Sequence, residues 1–246
     1  MEYNRVKEEL GEIIRDERNN PILVDTTVFS PVNPTITDMI YKKAFVNMNS
    51  RDLKVVRKYY SYILAMTEDE SKIVSVPAVI PEISRLKEII GSQVSELNKI
   101  YEGPMRDAII VKRRKNSVYH PRMQDTGSEL AQIFSRIDRT LDIFKVRANN
   151  YQWIGTQEYF KNRARGGAKH GHALGHIKKI DEADVELVAA SLYEVFFKGT
   201  SPYILSCDRD IDIILRYTLA GNSFSKEQKD LANCRIKTYR ANAKGL

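Results

Sequence analysis

Ile22-Leu23-Val24-Asp25-Thr26-Thr27 is the stretch on which the fold turns: three consecutive apolar residues, then an acid, then two hydroxyls. A short, continuous apolar run after the breaker Asn19-Asn20-Pro21 predicts a strand buried on both faces, as in a parallel sheet. An acid at the exit of such a strand has no packing role, so Asp25 marks either a turn or a ligand position.

Working outward, the same signature returns. Ile73-Val74-Ser75-Val76 reads as a second strand, and Tyr203-Ile204-Leu205 as a third that delivers Ser206, Cys207 and Asp208 to its end. Arg235 to Tyr239 reads as a last strand, and Asp107 to Val111 is a further strand candidate. Between them lie helical patterns: Val6 to Arg15, a helix from Ser50 with Leu53, Val56, Tyr60, Ile63 and Leu64 on one face, and one entered through Pro81 with Glu82 in its first turn. Asp181 to Phe197 predicts a helix with one buried face, closed by Gly199. Alternating strands and helices predict an α/β protein, a three-layer α/β/α stack on a mainly parallel sheet of about five strands. A chain of 246 residues suits a single domain, with an N-terminal helix in 1–20 and a long, mainly helical insertion over about 101–179.

In open parallel sheets the ligand site lies off the carboxyl ends of the strands. Asp25 and Asp208 end two strands, and Glu82 and Asp184 sit in first turns of helices on the same rim, so four carboxylates from distant stretches are expected to converge. Like charges that close oppose joint ionisation, and a hard divalent cation, Mg²⁺ or Mn²⁺, removes the conflict. Asp184 competes with Asp181, since acids three apart at a helix start also make a capping box. Asp210 is a further ligand or the cap of the next helix. Thr26 is expected to orient the Asp25 carboxylate and Ser206 to hydrogen-bond the acids.

Four of these segments carry a resemblance. Ile22 to Phe29 resembles the opening of PIN domains, Val76 to Glu82 their second acidic position, Asp184 to Leu192 their third, and Ser206-Cys207-Asp208-Arg209-Asp210 is similar to their hydroxyl-x-Asp-x-Asp element, all in the family's order. The resemblance covers about residues 20–100 and 180–240. It implies a PIN-like fold and metal-dependent hydrolysis of RNA, as an endoribonuclease with Asp25, Glu82, Asp184 and Asp208 catalytic. It leaves room for an inhibitory protein partner and a homo-oligomer. Two rivals stay open: an inactive PIN-like scaffold that binds RNA or a partner, and a haloacid-dehalogenase-like phosphohydrolase with Asp25 as nucleophile. The second is weakened by Thr27, where the commonest phosphatase version has another Asp.

Lys and Arg outnumber Asp and Glu by 39 to 32, for a pI near 9.2, which permits a polyanionic partner. The charge is concentrated in Lys112-Arg113-Arg114-Lys115 and in Lys161 to Lys179, where Lys161, Arg163, Arg165, Lys169, Lys178 and Lys179 occur without an acid. Among the glycines of the second segment, His170, His172 and His176 match no standard zinc spacing. Lys112, Arg113, Arg114, Lys115, Arg163, Arg165, Lys169, His170 and His172 are the expected RNA contacts, on flexible loops, with Tyr151, Trp153 and Tyr159 as stacking candidates. Two cysteines, Cys207 and Cys234, make no disulfide framework, and no apolar run has signal-peptide or membrane-spanning length. A soluble, cytoplasmic protein is the expectation.

Overall fold

The computed structural model describes residues 20–29, 50–67, 72–101, 122–152 and 157–240. The N-terminal helix candidate, the Asp107 to Val111 strand candidate, Lys112 to Lys115 and Trp153 lie outside them. The protein is α/β and mostly helical, around a small sheet. Four strands pair in the order β2-β1-β3-β4: β1 (Ile22–Val24), β2 (Ile73–Val74), β3 (Tyr203–Ser206) and β4 (Lys237–Arg240), every pair parallel. Among the described residues the sheet thus has four strands rather than five. The last strand starts two residues later than its apolar content suggests, because Ile236 still donates its N–H to the Ala232 carbonyl of the preceding helix.

Seven α-helices stand among the described residues: α1 (Ser50–Thr67), α2 (Ile80–Tyr101), α3 (Arg122–Asn150), α4 (Gln157–Ala173), α5 (Glu182–Phe196), α6 (Asp210–Ala220) and α7 (Lys226–Arg235). α3 packs against α1 and α2, with Tyr60 tilted onto Phe134 at 4.8 Å and Phe29 edge-on to Phe144 at 5.5 Å. The predicted face of α1 is buried at every named position. α5 departs from its predicted single buried face. Ala183 through Val195 are all buried, because α5 lies against β1 and β3 and is also packed by α4, α6 and α7. Glu186, Ser191 and Glu194 are therefore internal and paired. Glu194 accepts from the Tyr151 hydroxyl at 3.1 Å and the Lys198 ammonium at 2.7 Å, and Tyr151 packs half-buried against the core. Among the described residues, no helix is long and apolar enough to cross a membrane.

The segment Lys161 to Lys179 corrects the flexible-loop expectation. Through Ala173 it is helix α4, and two of its glycines, Gly167 and Gly171, serve close packing. A Cβ on Gly167 would stand 2.3 Å from Thr218 Oγ1 and 2.7 Å from the Ile214 carbonyl oxygen, so α4 and α6 cross with only a hydrogen atom between them. Gly171 likewise meets Ile177 and Ile213. Gly166, one residue away, faces open space. Gly167→Ala should therefore destabilise the protein by about 1–3 kcal/mol through overpacking, whereas Gly166→Ala should stabilise it by about 0.5–1 kcal/mol through helix propensity; urea unfolding of the two variants checks the difference in sign.

Candidate functional site

With strand order β2-β1-β3-β4, the connections leaving β1 (to β2) and β3 (to β4) run in opposite directions along the sheet, so a crevice opens beyond the carboxyl ends of β1 and β3. Asp25 and Asp208 sit there. The β1–β3 ladder continues one step past the strand, with Asp25 N–H donating to the Leu205 carbonyl at 2.9 Å. This step sets Asp25 beside Ser206, whose hydroxyl donates to Asp25 Oδ2 at 2.5 Å. The chain then turns into a 3₁₀ helix, Thr26–Phe29, whose last two carbonyls accept the hydroxyls of Tyr59 (onto Val28) and Tyr60 (onto Phe29) from α1.

The 3₁₀ turn reassigns the hydroxyls. Three residues per turn separates successive side chains by about 120°. Thr26 consequently points away from Asp25 and donates to Glu82, while Thr27 donates to Asp25 Oδ2 and accepts the Cys207 N–H at 3.0 Å. Thr26 is thus the partner of Glu82 rather than of Asp25, and Thr27 takes the orienting role expected of its neighbour. Ser206 holds its expected role.

Glu82 is half-buried in the first turn of α2, which follows directly on a second 3₁₀ helix, Pro77–Val79. That turn is tied down by Glu186 of α5, which accepts the Ala78 N–H and pairs with Lys161. At the start of α5, Asp181 is the N-cap and accepts from the Ala183 N–H at 2.9 Å. Asp184 is left to face the other acids, buried to 8% exposure. The division between capping and crevice acid is therefore Asp181 for the first and Asp184 for the second. Asp208 accepts the Asp210 N–H through Oδ1 at 2.9 Å and so closes the turn into α6; the N-cap position itself belongs to Arg209, and Asp210 is the first helical residue.

Electrostatics show that the acids share one environment. Burial pushes the Asp184 carboxyl up to about 8, reinforced by the charges of Asp25, Asp208, Asp181 and Asp210. Asp25 is raised by burial against the opposing hydrogen bonds from Ser206 and Thr27, and Glu82 by burial with the charges of Asp25 and Asp181. Asp210 is raised by burial and by Asp208, with Arg209 and Lys178 pulling the other way. Burial also pushes the Cys207 thiol to about 12, which leaves it an inert neighbour of the crevice. No described Lys or Arg makes an ion pair with Asp25, Glu82, Asp184 or Asp208. As the side chains stand, no three or more described His, Cys, Asp and Glu residues form a group that could hold a metal ion. What the carboxylates provide is a set of buried and half-buried oxygen donors that no described Lys or Arg neutralises by an ion pair, the chemistry a hard divalent cation fits.

The basic residues of α4 are more committed than their sequence suggests. Lys161 is taken up by Glu186, and Arg165 grips Glu182 with two bonds of 3.0 Å. Arg163 donates to Ser223 at 2.6 Å and lies over the half-exposed ring of Tyr159. His176 Nδ1 meets the Tyr217 hydroxyl at 2.6 Å and His170 sets its ring against the same tyrosine at 4.9 Å, while His172 and Lys169 are exposed. The signal for these pairings lies in Glu182, Glu186 and Tyr217, all outside the segment.

Comparison with known proteins gives no match, whether against protein-family models, curated proteins or solved structures.

A carboxyl raised on folding binds a proton as the chain folds, so its contribution to stability is full below its unfolded value and is lost as pH rises through the folded one. For Asp184 that window runs from 3.8 to about 8, and Asp25, Glu82 and Asp210 act with the same sign. In chelator, wild-type protein should lose stability across this window. Asp184→Asn should be more stable than wild type at its upper end, by at most about 5 kcal/mol, with the gap closing toward its lower end. Urea titrations across the window decide it, and a gap that does not vary with pH overturns the assignment.

Proposed function

We propose that the chain is a metal-dependent ribonuclease of PIN-like, three-layer α/β/α build, which hydrolyses RNA phosphodiesters at the crevice between β1 and β3. The observation that carries this reading is the burial of Asp25 and Asp184, beside the half-buried Asp208 and Glu82, at a topological switch point where no described Lys or Arg makes an ion pair with any of them. Structural acids at that depth are ordinarily neutralised by Lys or Arg, as Glu186 and Glu194 are here by Lys161 and Lys198.

Asp25, Asp184 and Asp208, with Glu82 and Asp210 at the margin, are the residues that would hold Mg²⁺ or Mn²⁺. Bound there, the ion would polarise a phosphodiester, lower the pKa of an attacking water and neutralise charge on the leaving oxygen. The protein's own contribution is to fix the donors. Ser206 and Thr27 both engage Oδ2 of Asp25 and hold its plane, Thr26 holds Glu82, and the Asp210 N–H holds Oδ1 of Asp208. A covalent role for Asp25 is disfavoured by its 2% exposure and by two hydroxyls already on one carboxylate oxygen.

Labelled RNA incubated with wild-type protein and Mn²⁺ should be cleaved, and chelator should stop it. Asp25→Asn and Asp184→Asn should each lose more than about 100-fold in rate, beyond what loss of a supporting residue costs, while keeping a cooperative thermal transition. Mn²⁺ should raise the Tm of wild-type protein and leave that of Asp184→Asn nearly unchanged. Full cleavage by Asp25→Asn, or an equal Mn²⁺ shift in both proteins, sinks the site.

A further inference from the structure

We infer that the cleft between α6 and α7 is the track by which a single strand of RNA reaches the acidic crevice. The inference rests on the ribonuclease reading and names the path of its substrate. The cleft encloses about 900 Å³ and carries four cations, Arg209, Arg216, Lys226 and Lys229. Two carboxylates, Asp212 and Asp230, also line it, leaving the positive charge in excess.

Arg209 joins the cleft to the site, since it is exposed and stands in the chain between Asp208 and Asp210. From there Arg209, Ile213 and Arg216 recur at helical spacing on one face of α6, so the stripe runs about 10 Å away from the crevice. Lys226 and Lys229, three apart, share a face of α7. The cations of α4 are largely engaged by Glu186, Glu182 and Ser223, whereas Arg216, Lys226 and Lys229 make no ion pair with a described carboxylate. Apart from Lys178, which acts on Asp210 from the segment after α4, the positive charge next to the crevice that no described carboxylate pairs with lies in this cleft.

Its lining also chooses the form of nucleic acid. Ile213, Leu215 and Leu219 give the cleft an apolar wall between the charged side chains. A duplex turns its bases inward and offers such a wall only phosphate and sugar. An unpaired strand offers base faces to the apolar residues while its phosphates meet the cations.

The test is anisotropy of a fluorescein-labelled, unpaired RNA of about 12 nucleotides, titrated with full-length protein in chelator over a range of KCl. Wild type should bind with a steep log K against log salt line. Arg216→Gln/Lys226→Gln/Lys229→Gln should flatten that slope by about 2, at about 0.7 for each phosphate no longer neutralised. The single exposed change Lys226→Glu should flatten it by at least about 0.7, so the outcome does not hang on the triple variant. Arg163→Gln/Lys169→Gln/Lys179→Gln, with the same charge removed from the α4 side, should leave the slope unchanged. An unchanged slope in both cleft variants, a flattened slope in the α4 variant alone, or displacement of the RNA by polyglutamate as readily as by unlabelled RNA overturns the inference; the last would assign the cleft to an acidic peptide. Cleavage of the same RNA with Mn²⁺ is scored separately. Slope changes as expected without cleavage leave the cleft standing and overturn the ribonuclease reading alone.

Discussion

Parallel pairing of β1 with β3, carried one residue past the strand by the Asp25 N–H on the Leu205 carbonyl, is the contact on which the site depends. It sets Asp25 beside Ser206 although 181 positions separate them. Once these two are adjacent, Thr27 can reach both Asp25 and the Cys207 N–H, and the turn bearing Asp208 is held against the turn bearing Asp25. α5 then brings Asp184 into the same crevice from across β1 and β3. The acids oppose one another, and the folded chain bears that cost through its packing. Tyr59 and Tyr60 pin the first 3₁₀ turn from α1, and Glu186 pins the second from α5.

Much of this was legible in the sequence because it rests on local patterns. Apolar runs followed by an acid identify β1 and β3, and the spacing of Asp181 and Asp184 marks a helix entry, although only the fold decides which of the two caps it. Pro81 places Glu82 in a first turn. The exchange of roles between Thr26 and Thr27 was not legible, since it follows from the twist of a 3₁₀ turn that no periodicity announces over four residues. Nor was α4. Glycine, lysine and histidine in close succession read as a mobile basic loop, but their partners Glu182, Glu186, Thr218 and Tyr217 lie elsewhere in the chain and are supplied only by the fold. The full burial of α5 is likewise tertiary: its apolar stripe was visible, but Glu186 and Glu194 could be assigned to the interior only once α4 and Lys198 were in place.

The two sides of the crevice are built differently. On the β1 side, acids are held by hydroxyls, which orient a carboxylate without neutralising it. On the α6 side, Asp208 is held by a backbone N–H at a helix start, where the helix dipole also favours the anion. The combination keeps the donors ordered while leaving their charge available, which side chains of Lys or Arg in the same places would not do.

The crossing at Gly167 governs how such a crevice can move. Packed helices normally adjust to ligands by sliding a fraction of a turn along one another. With only a hydrogen atom between α4 and the Ile214–Thr218 stretch of α6, a slide would drive a neighbouring side chain into that backbone. α4 and α6 therefore resist sliding past one another at this crossing. Shear between them is thereby opposed as a way of reshaping the crevice beside Asp208.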